Sequence, residues 1–545
     1  MPGGILQLAA YGAQDVYLTG NPQITFFKVV YRRHTNFALE TIRNNFTAKP
    51  NFGGMTTTTI ERSADLISKT YIRIVISGGS APEGAQWAWV ENLGHAILKS
   101  VELTIGGQRI DFHNSDVLQI LRELTLPYDK ERGYNKMIGN VPALTTLNQH
   151  HDAYTMYIPL KFFFDRNIGV ALPLIALQYH EVKVNIIIEQ LQHLIVTTGF
   201  SSSDPGTQLG LEILDTTFEC GMIYLDTDER RRFVQMSHEL LIEQVQMVGP
   251  DNATSETRNN QIMTFNHPVK EVIWVVHTGC MRNLSGDYKY LWYDPNDIDN
   301  LRLIATKRFI LACALYNGSG NLVLAGSTPL PPINQNNSNQ NDYDTNSILP
   351  NGSLSGDLLA LFNSLQASAV ATTPSIYNVA ILGTLLTLEQ LSTPIDTLLA
   401  GLSNRPTDPA NDGSAVNDVT VKMPFNYGVN LDGSVNPLDN GKIILNGQDR
   451  IREQDATYFN YLQPYEHHTR TPADGINVYS FAISPEEHQP SGSLNFSRID
   501  MAVLQFHLNT NYAHILRSDS VIMNYAISYN VLRIISGMGG LAYNV

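Results

Sequence analysis

Charged side chains are scarce in this sequence, and basic ones are scarcer than acidic ones. Only 16% of the 545 residues are charged, and 36 Lys and Arg against 51 Asp and Glu give a formal net charge of -15. A protein that binds nucleic acid irrespective of sequence needs surplus Lys and Arg to displace counterions from phosphate, so this class is excluded. Because soluble domains carry about 25% charged residues, the deficit also predicts large surfaces buried against partners.

Cysteines are few and long apolar runs are absent. Cys220, Cys280 and Cys313 form no C-x-x-C pair, which argues against a disulfide framework or a zinc knuckle and favours a reducing compartment. The first residues lack the basic segment and the apolar core of a secretion signal. Prolines and acidic residues interrupt the most apolar stretch, 358–402, so we predict no transmembrane helix.

Motifs of catalysis and metal binding are also absent. The sequence contains no H-x-H, H-E-x-x-H, G-x-S-x-G or phosphate-binding loop. Residues 537–542 fit G-x-G-x-x-A but leave no room for the helix that a dinucleotide site needs. The paired histidines at 150–151 and 467–468 could bind a metal, although hydrogen bonding within loops is the simpler interpretation. The sequence therefore predicts no catalytic, cofactor or metal site.

Short segments of alternating apolar and polar residues make up most of the chain. Apolar side chains alternate with Asn, Ser and Ala at 521–531, and similar segments occur at 70–76, 101–105, 180–189, 240–248 and 269–277. A period of two is typical of strands, and here the apolar face is expected to meet a core. Since single cores stop growing near roughly 250–300 residues, the chain should hold two or more all-β domains, as sandwiches or barrels.

Two regions depart from this pattern. Residues 226–235, DTDERRRFVQ, begin with a capping aspartate and predict a short helix, which we interpret as a connector between domains. Residues 318–440 are rich in Asn, Asp, Gly and Pro around one or two helical segments near 357–371, and we interpret them as a long loop insertion. Such an insertion either carries function or partner contacts, or is a tolerated excursion at the surface.

An internal duplication indicates the architecture. The motif Gly107-Gln108-Arg109-Ile110 recurs as Gly-Gln-Asp-Arg-Ile at 447–451, and a Pro-Tyr pair and a His-His pair then follow in the same order in both halves. Preserved order across several features is difficult to obtain by chance. The sequence therefore predicts two copies of one β fold, with the insertion in the second copy.

Seven N-x-[ST] sequons occur, and without a secretion signal the default interpretation is coincidence in an Asn-rich and Ser-rich chain. Two of the seven are Asn45 and Asn495. The remaining five, which are the candidate glycosylation sites, are Asn252, Asn283, Asn317, Asn336 and Asn351.

Several strings in both halves resemble the major capsid proteins of nucleocytoplasmic large DNA viruses, of the giant algal and amoebal type. The strings skip mainly the insertion and include GAQDVYLTGNPQITFFKVVYRRHTNFALE (12–40), IPLKFFFDRNIGVALPLIALQYHEVKV (158–184), LDTDERRRFVQMSHELLIEQVQ (225–246), FNHPVKEVIWVV (265–276), ILNGQDRI (444–451), INVYSFAISPEEHQPSGSLNFSRID (476–500) and SYNVLRIISGMGGLAY (528–543).

The resemblance implies a double jelly roll, with two tandem eight-stranded antiparallel sandwiches and short helices in their loops. The implied domains are an N-terminal arm (1–23), a first jelly roll (24–225), a connector (226–237) and a second jelly roll (238–545) with the insertion at about 318–440 as an outer tower. The implied function is structural and not that of an enzyme, with homotrimers forming pseudo-hexagonal capsomers that tile an icosahedral virion shell.

The implied partners are neighbouring capsomers, minor capsid and penton proteins, and an inner membrane close to the capsomer base, without direct contact with nucleic acid. Assembly is expected in the host cytoplasm. The main alternative is a carbohydrate-binding or cupin-like enzyme, since lectins and cupins are also jelly rolls, although the absence of H-x-H argues against a cupin metal site. A minor capsid or penton protein and a membrane-shaping scaffold are further alternatives.

Overall fold

A computed structural model of the chain describes most of the residues outside the long insertion. The described residues are 5, 10, 15–19, 21–83, 85–146, 148–198, 205–253, 258–277, 290–291, 421–422, 424–429, 435–509 and 520–543. Most of the predicted insertion, 318–420, lies outside them, as do Asn283, Asn317, Asn336 and Asn351. Asn252, Asn45 and Asn495 are described and exposed.

The first half of the chain forms a sandwich of two antiparallel sheets. Its main strands are β1 (Phe37–Asn45), β2 (Met55–Thr59), β3 (Leu66–Ile76), β6 (Leu98–Ile105), β7 (Gln108–Asn114), β9 (Tyr154–Pro159), β10 (Leu172–Pro173), β11 (Val182–Ile188) and β13 (Ile213–Leu225). One sheet has the order β1-β13-β3-β10, with β9 also paired to β3, and the other has the order β2-β11-β6-β7.

The second half forms a sandwich of the same design. Its strands are β14 (His238–Ala253), β15 (Asn259–Ile262), β16 (Pro268–His277), β19 (Leu438–Leu445), β20 (Gln448–Asp449), β21 (Gln454–Asp455), β22 (Ile476–Ser480), β23 (Leu494–Asn495), β24 (Ala502–Leu508), β25 (Ser520–Ile535) and β26 (Met538–Leu541). One sheet has the order β14-β25-β16-β22, with β23 on β16 and β26 on β25. The other has the order β15-β24-β19-β20, with β21 on β19.

Shorter elements complete the described chain. Further strands are β4 (Gly79–Ser80), β5 (Gln86–Trp89), β8 (His150–His151), β12 (Ile195–Thr198), β17 (Tyr290–Leu291) and β18 (Val421–Lys422). The α-helices are α1 (Val16–Thr19), α2 (Leu93–Ala96), α3 (Ser115–Thr125), α4 (Glu131–Met137), α5 (Pro142–Thr145), α6 (Phe163–Arg166), α7 (Leu191–Leu194), α8 (Pro205–Leu209), α9 (Thr227–Gln235) and α10 (Gln463–His467). A π-helical turn at Tyr458–Leu462 leads directly into α10, and 3-10 turns lie at Tyr128–Lys130, Ile168–Val170, Leu174–Ala176 and Phe496–Arg498. Across the described ranges, no helix is both long and apolar enough to span a bilayer.

The two sandwiches correspond strand by strand. The order β1-β13-β3-β9 matches β14-β25-β16-β22, and the order β2-β11-β6-β7 matches β15-β24-β19-β20. Two packed four-stranded sheets connected in this way make a jelly roll, which leaves few free strand edges. The prediction of an all-β double jelly roll is confirmed.

The duplicated Gly-Gln motif marks the same hairpin in each sandwich. Gly106 and Gly107 have φ of 58° and 85° between β6 and β7, and Asn446 and Gly447 have φ of 48° and 80° between β19 and β20. Two-residue hairpin turns with positive φ at both central positions match the twist of the strands they join, and Gly and Asn adopt that conformation most readily. The repeated motif therefore records a turn that both copies of the fold require.

Each sandwich has its own hydrophobic core between its sheets. In β11, residues 182, 184, 186 and 188 are buried and alternate with half-buried ones, as the sequence predicts. Burying one such aliphatic side chain stabilises the fold by roughly 1.5–3 kcal/mol. The core of the second sandwich is built around Trp274, whose ring meets Phe459 with centroids 5.1 Å apart.

Strand β25 is buried on both faces, which the alternation alone did not indicate. Ile522 and Ala526 lie in the core of the second sandwich, whereas Met523, Tyr525 and Ile527 belong to a separate apolar cluster on the outer face of the same sheet. The apolar face of the strand thus packs outside its own sandwich, against the first one.

Candidate functional site

A helix of the first sandwich covers the outer face of the second. Helix α3 begins after Asn114, whose side chain accepts a hydrogen bond from Val117 N at 2.9 Å. Its apolar face, at positions i, i+3, i+4 and i+7, consists of Val117, Ile120, Leu121 and Leu124. This face packs on residues of the second sandwich, namely Ile273, Val275, Tyr427, Ile476, Val478, Met523, Tyr525 and Ile527. We call this contact the joint.

The other side of α3 is anchored in the first sandwich. Leu118 belongs to the first core. Gln119 hydrogen bonds to Nδ1 of His95 at 2.8 Å, and Nε2 of His95 meets the Tyr134 hydroxyl at 2.9 Å. Burial lowers the pKa of His95 to about 3, so the ring stays neutral at physiological pH and acts as a fixed bridge. These contacts fix the position of α3 on the first sandwich.

Hydrogen bonds at the margin of the joint also link the sandwiches. Tyr427 donates to Asp116 at 2.6 Å, and Asn114 Nδ2 donates to the Tyr525 hydroxyl at 3.2 Å. Burial and the nearby Asp116 raise the pKa of both phenols well above the ordinary value, so they remain donors. Nearby, Val245 N on β14 donates to Asp111 Oδ1 on β7 at 3.1 Å.

A buried ionic network crosses between the sandwiches beside the joint. The Glu243 carboxylate on β14 accepts hydrogen bonds from the Arg166 guanidinium of α6 at 2.9 Å and from the Lys270 ammonium of β16 at 2.6 Å. The Lys270 side chain is only 1% exposed. Burial favours the neutral carboxyl, but the two cations outweigh burial and lower the pKa of Glu243. The pair across the sandwiches is therefore an ion pair and not a neutral hydrogen bond.

His468 continues this network in the second sandwich. Its Nε2 lies 3.0 Å from Glu271 and its Nδ1 lies 3.0 Å from Glu486. Burial disfavours the charged ring, yet the two carboxylates prevail and raise the pKa of His468 to about 9. Two residues on, Arg470 reaches back to the first sandwich, with its guanidinium 3.0 Å from Glu131 and over the Tyr128 ring at 4.7 Å.

We expect stability to fall as pH rises from about 6.5 to about 9 because of His468. The folded pKa of His468 lies above the ordinary histidine pKa of 6.5, so the stabilising proton is fully bound below pH 6.5 and is lost as the pH rises through the folded pKa. At about 1.4 kcal/mol per pKa unit, the full change is roughly 3 kcal/mol. Urea unfolding from pH 6 to 10 of the wild type and of His468→Gln isolates this group, and parallel curves would contradict the assignment.

The glycine-rich C-terminal strand makes a further contact between the two sandwiches, away from α3. Tyr179 N donates to Gly537 O at 2.9 Å, and Leu541 N donates to Gln108 Oε1 at 3.1 Å. Gly539 lies so close to the buried Leu177 that an added Cβ would stand 2.6 Å from its Cδ2. The glycines that fit a dinucleotide pattern in sequence thus form a hairpin strand that packs on the first sandwich.

Substituting Gly539 by valine is expected to destabilise the fold by about 1–3 kcal/mol, the usual cost of overpacking a filled site. The matched control is Gly133→Val in α4, where an added Cβ meets nothing within 4 Å. Thermal unfolding of both variants gives the comparison. Equal midpoints would mean that the hairpin moves away from Leu177 freely.

Other residues singled out in the sequence have structural contacts. His151 is buried and bonds to the carbonyls of Ala143 at 2.7 Å and Trp87 at 2.8 Å. Arg230, from the arginine triplet of α9, pairs with the buried Asp65 of the first sandwich at 3.0 Å. Among the residues that the structure describes, no three His, Cys, Asp or Glu side chains are grouped to hold a metal ion.

The joint itself was missed in the sequence. The segment SDVLQILRELT at 115–125 carries apolar residues at helical spacing behind a capping asparagine, and this signal was available. The charge network could not be found in this way, because Arg166 and Glu243 lie 77 positions apart in the chain.

Extended residues ahead of β1 present a second feature of interest. Residues 21–36 form no strand and are exposed, and Phe26 and Phe27 are 90% and 98% exposed. Contiguous exposed aromatic side chains on a protein surface mark contacts with a partner.

Comparisons with known proteins agree with this architecture. Residues 229–540 match the family described as large eukaryotic DNA virus major capsid protein, and residues 25–226 match the major capsid protein N-terminus family. The chain is 39% identical to the major capsid protein of Phaeocystis pouchetii virus and 37% identical to capsid protein 1 of Acanthamoeba polyphaga mimivirus, with 100% of both chains covered in each case.

A solved structure supports the same assignment. This chain is 27% identical to the chain in a quasi-atomic model of the PBCV-1 virus capsid, and the two structures superpose with a TM-score of 0.61. The match covers 96% of this chain and 100% of the other. The family consists of structural proteins, which confirms that the chain is not an enzyme. The chain therefore belongs to the major capsid proteins of large eukaryotic DNA viruses, as a structural component of the virion capsid.

Proposed function

We propose that three copies of this chain assemble into a pseudo-hexagonal capsomer, and that such capsomers tile the icosahedral outer shell of the virion. The observation that carries the proposal is the joint. It holds two sandwiches of the same topology in one fixed arrangement, through an apolar cluster and a buried ion pair. Three rigid pairs supply six near-equivalent units, and closed cyclic symmetry is the common solution for such oligomers.

The partners of the proposed capsomer follow from the family resemblance. They are neighbouring capsomers, minor capsid and penton proteins, and an inner membrane close to the capsomer base, with assembly in the host cytoplasm. The net charge of -15 agrees with a shell that does not touch nucleic acid. We propose that the N-terminal arm extends from residues 1–23 to residue 36, since the exposed stretch ends where β1 begins.

The insertion is proposed as an outer tower of the capsomer. Tyr427 lies in the joint, and β19 begins at Leu438, so the proposed tower ends before residue 424 and not at 440. The remaining domain limits stay as proposed, with the first jelly roll ending at 225, the connector at 226–237 and the second jelly roll at 238–545. Glycosylation at Asn252, Asn283, Asn317, Asn336 or Asn351 remains a proposal that peptide mapping of virions would test.

Native mass spectrometry of the purified full-length chain tests the proposal. The expected species has three times the 60.6 kDa mass of the chain, and electron microscopy should show six-lobed particles with three towers. A stable monomer at micromolar concentration, or a dimer, would overturn it.

A further inference from the structure

The second sandwich carries a counterpart of α3. A helical segment at 458–467 consists of the π turn followed directly by α10. It comes after β21 in the second sandwich, as α3 comes after β7 in the first. Phe459 enters the second core as Leu118 enters the first. One position further, the buried Asn460 and Gln119 both make hydrogen bonds inside their own sandwich. These anchors place the 458–467 segment in the same role as α3.

The counterparts of the joint residues are exposed. Counting from the anchors, Ile120, Leu121 and Leu124 of α3 correspond to Tyr461, Leu462 and Tyr465. The three α3 residues are at most 4% exposed, whereas their counterparts are 41%, 43% and 80% exposed. The second helix thus presents to solvent the face that the first helix buries. A π turn, which the second helix contains, is frequent at functional sites.

The first sandwich carries a counterpart of the receiving face. The strand pairs β3–β13 and β16–β25 both shift register at the same place, where Ile67 lies opposite Met222 and Val269 lies opposite Ser528. This common bulge fixes the alignment of the two sheets. Counting from it, the outward residues Ile273 and Val275 of the joint correspond to Tyr71 and Arg73, and Ile476 and Val478 correspond to Tyr157 and Pro159.

This second face is only partly covered and differs in chemistry. Tyr71, Arg73, Tyr157 and Pro159 are half-buried, while their counterparts in the joint are buried. Glu219, the counterpart of Tyr525, pairs with the exposed Arg43 at 3.0 Å. The helix changes in the same sense at two of its three positions, since Ile120 and Leu124 correspond to tyrosines while Leu121 corresponds to a leucine. Phenol hydroxyls can bond to carboxylate and guanidinium groups, and tyrosine rings stack on arginine, so the exposed helix and the half-buried face are chemically matched.

We propose that the 458–467 helix of one copy docks on the outer face of β3, β9 and β13 of a second copy, with Tyr461, Leu462 and Tyr465 as its contacts. The contact between chains then repeats the joint within the chain. This inference rests on the proposed trimer. Such a head-to-tail contact uses two different surfaces of each chain, and three copies close it into a ring in which both types of contact alternate.

A second copy is the partner that the structure favours. Both halves of the contact lie on the same chain. The helix residues are exposed within it, and the residues of the receiving face are half-buried apart from the buried Glu219. Any copy that offers the helix also offers the face, so the sites remain matched in number at every stage of assembly. The apolar joint inside the chain shows that this pair of surfaces is compatible with stable packing.

The test substitutes the exposed helix face with charge. The variant Leu462→Asp/Tyr465→Asp is expected to dissociate to a folded monomer, with a rise of roughly a hundredfold in the concentration for half-dissociation, because truncation or charge at interface anchors costs the most. The matched control is Ile262→Asp on β15, which changes a residue that is 58% exposed outside this face and should leave the trimer intact. Analytical ultracentrifugation and circular dichroism report mass and folding for each protein.

If the Leu462→Asp/Tyr465→Asp variant aggregates, cross-linking tests the same contact between chains. Chains with Leu462→Cys and chains with Arg73→Cys are co-expressed and treated with a short bis-maleimide, beside the wild type, which keeps its three cysteines. The expected product is a covalent pair of chains that contains one of each variant and is absent from the wild type. A monomeric wild type would overturn the proposed trimer. A trimeric wild type together with a trimeric charge variant and no mixed cross-link would overturn this inference alone.

Discussion

Substitution of Leu124 by alanine is expected to lower the free energy of unfolding by about 2–5 kcal/mol, because this side chain fills the joint between the two jelly rolls. Leu124 is fully buried in the same cluster as Ile273 and Val478 of the second jelly roll. Close-packed interiors do not relax fully around a lost side chain, and here the cavity would lie between two rigid sheets. Urea unfolding followed by tryptophan fluorescence measures the effect.

Two controls separate the joint from ordinary core packing. Leu124→Met conserves volume and should cost less than about 1.5 kcal/mol. Leu194→Ala removes an equally buried leucine from the first core, away from the joint, and should destabilise the protein without changing how the jelly rolls are arranged. Small-angle scattering should show a larger radius of gyration for Leu124→Ala alone. If Leu124→Ala costs no more than Leu124→Met, the joint does not hold the jelly rolls together.

The sequence contained the repeated fold because both copies must satisfy the same local constraints. The Gly-Gln motif reappears since both hairpins need positive φ at adjacent positions, at Gly106 and Gly107 and again at Asn446 and Gly447. The strands at 70–76, 182–188 and 269–277 could be predicted from period-two alternation, which depends only on local burial. The family followed from strings that cover both halves of the chain.

The joint was harder to predict because it depends on long-range contacts. Alternation in β25 indicates that Met523, Tyr525 and Ile527 share a face, but not that this face lies outside its own sandwich. The pairing of the face with α3 is a tertiary fact that periodicity does not encode. The same limit applies to the charge pairs, where composition showed a shortage of charge without showing that some charges are buried.

The internal duplication explains why the chain has one helix and one sheet face that do not pack on each other within it. Duplicating a sandwich duplicates its helix and its receiving face, so a chain with two copies holds two helices and two faces. One helix and one face meet within the chain, which leaves one of each for a neighbour. The joint consists of aliphatic residues together with Tyr427 and Tyr525, whereas the second set places tyrosine and leucine against arginine and tyrosine. These differences are those expected of a permanent contact and of one that must first be exposed to water.

Removal of the Glu243 carboxylate is expected to cost about 3–5 kcal/mol of unfolding free energy, which is typical when a buried ion pair loses one partner. In Glu243→Ala, Lys270 would lose its partner at a side chain that is only 1% exposed, where burial already lowers its pKa, and Arg166 would lose its contact across the jelly rolls. Glu243→Gln keeps a hydrogen-bond acceptor without the charge and should fall between the alanine variant and the wild type.

A double-mutant cycle tests whether the cost comes from the unpaired lysine. Lys270→Met alone leaves Glu243 with Arg166, whose side chain is 20% exposed, and should destabilise the protein less than Glu243→Ala. The double variant Glu243→Leu/Lys270→Met removes both buried charges and should regain most of the lost stability, since apolar replacement of a buried pair is often neutral. Urea midpoints at pH 7 for the wild type, Glu243→Leu, Lys270→Met and the double variant give the coupling free energy. Additive effects of the two substitutions would show that Glu243 and Lys270 act independently, and the network would then consist of the contact between Glu243 and Arg166 alone.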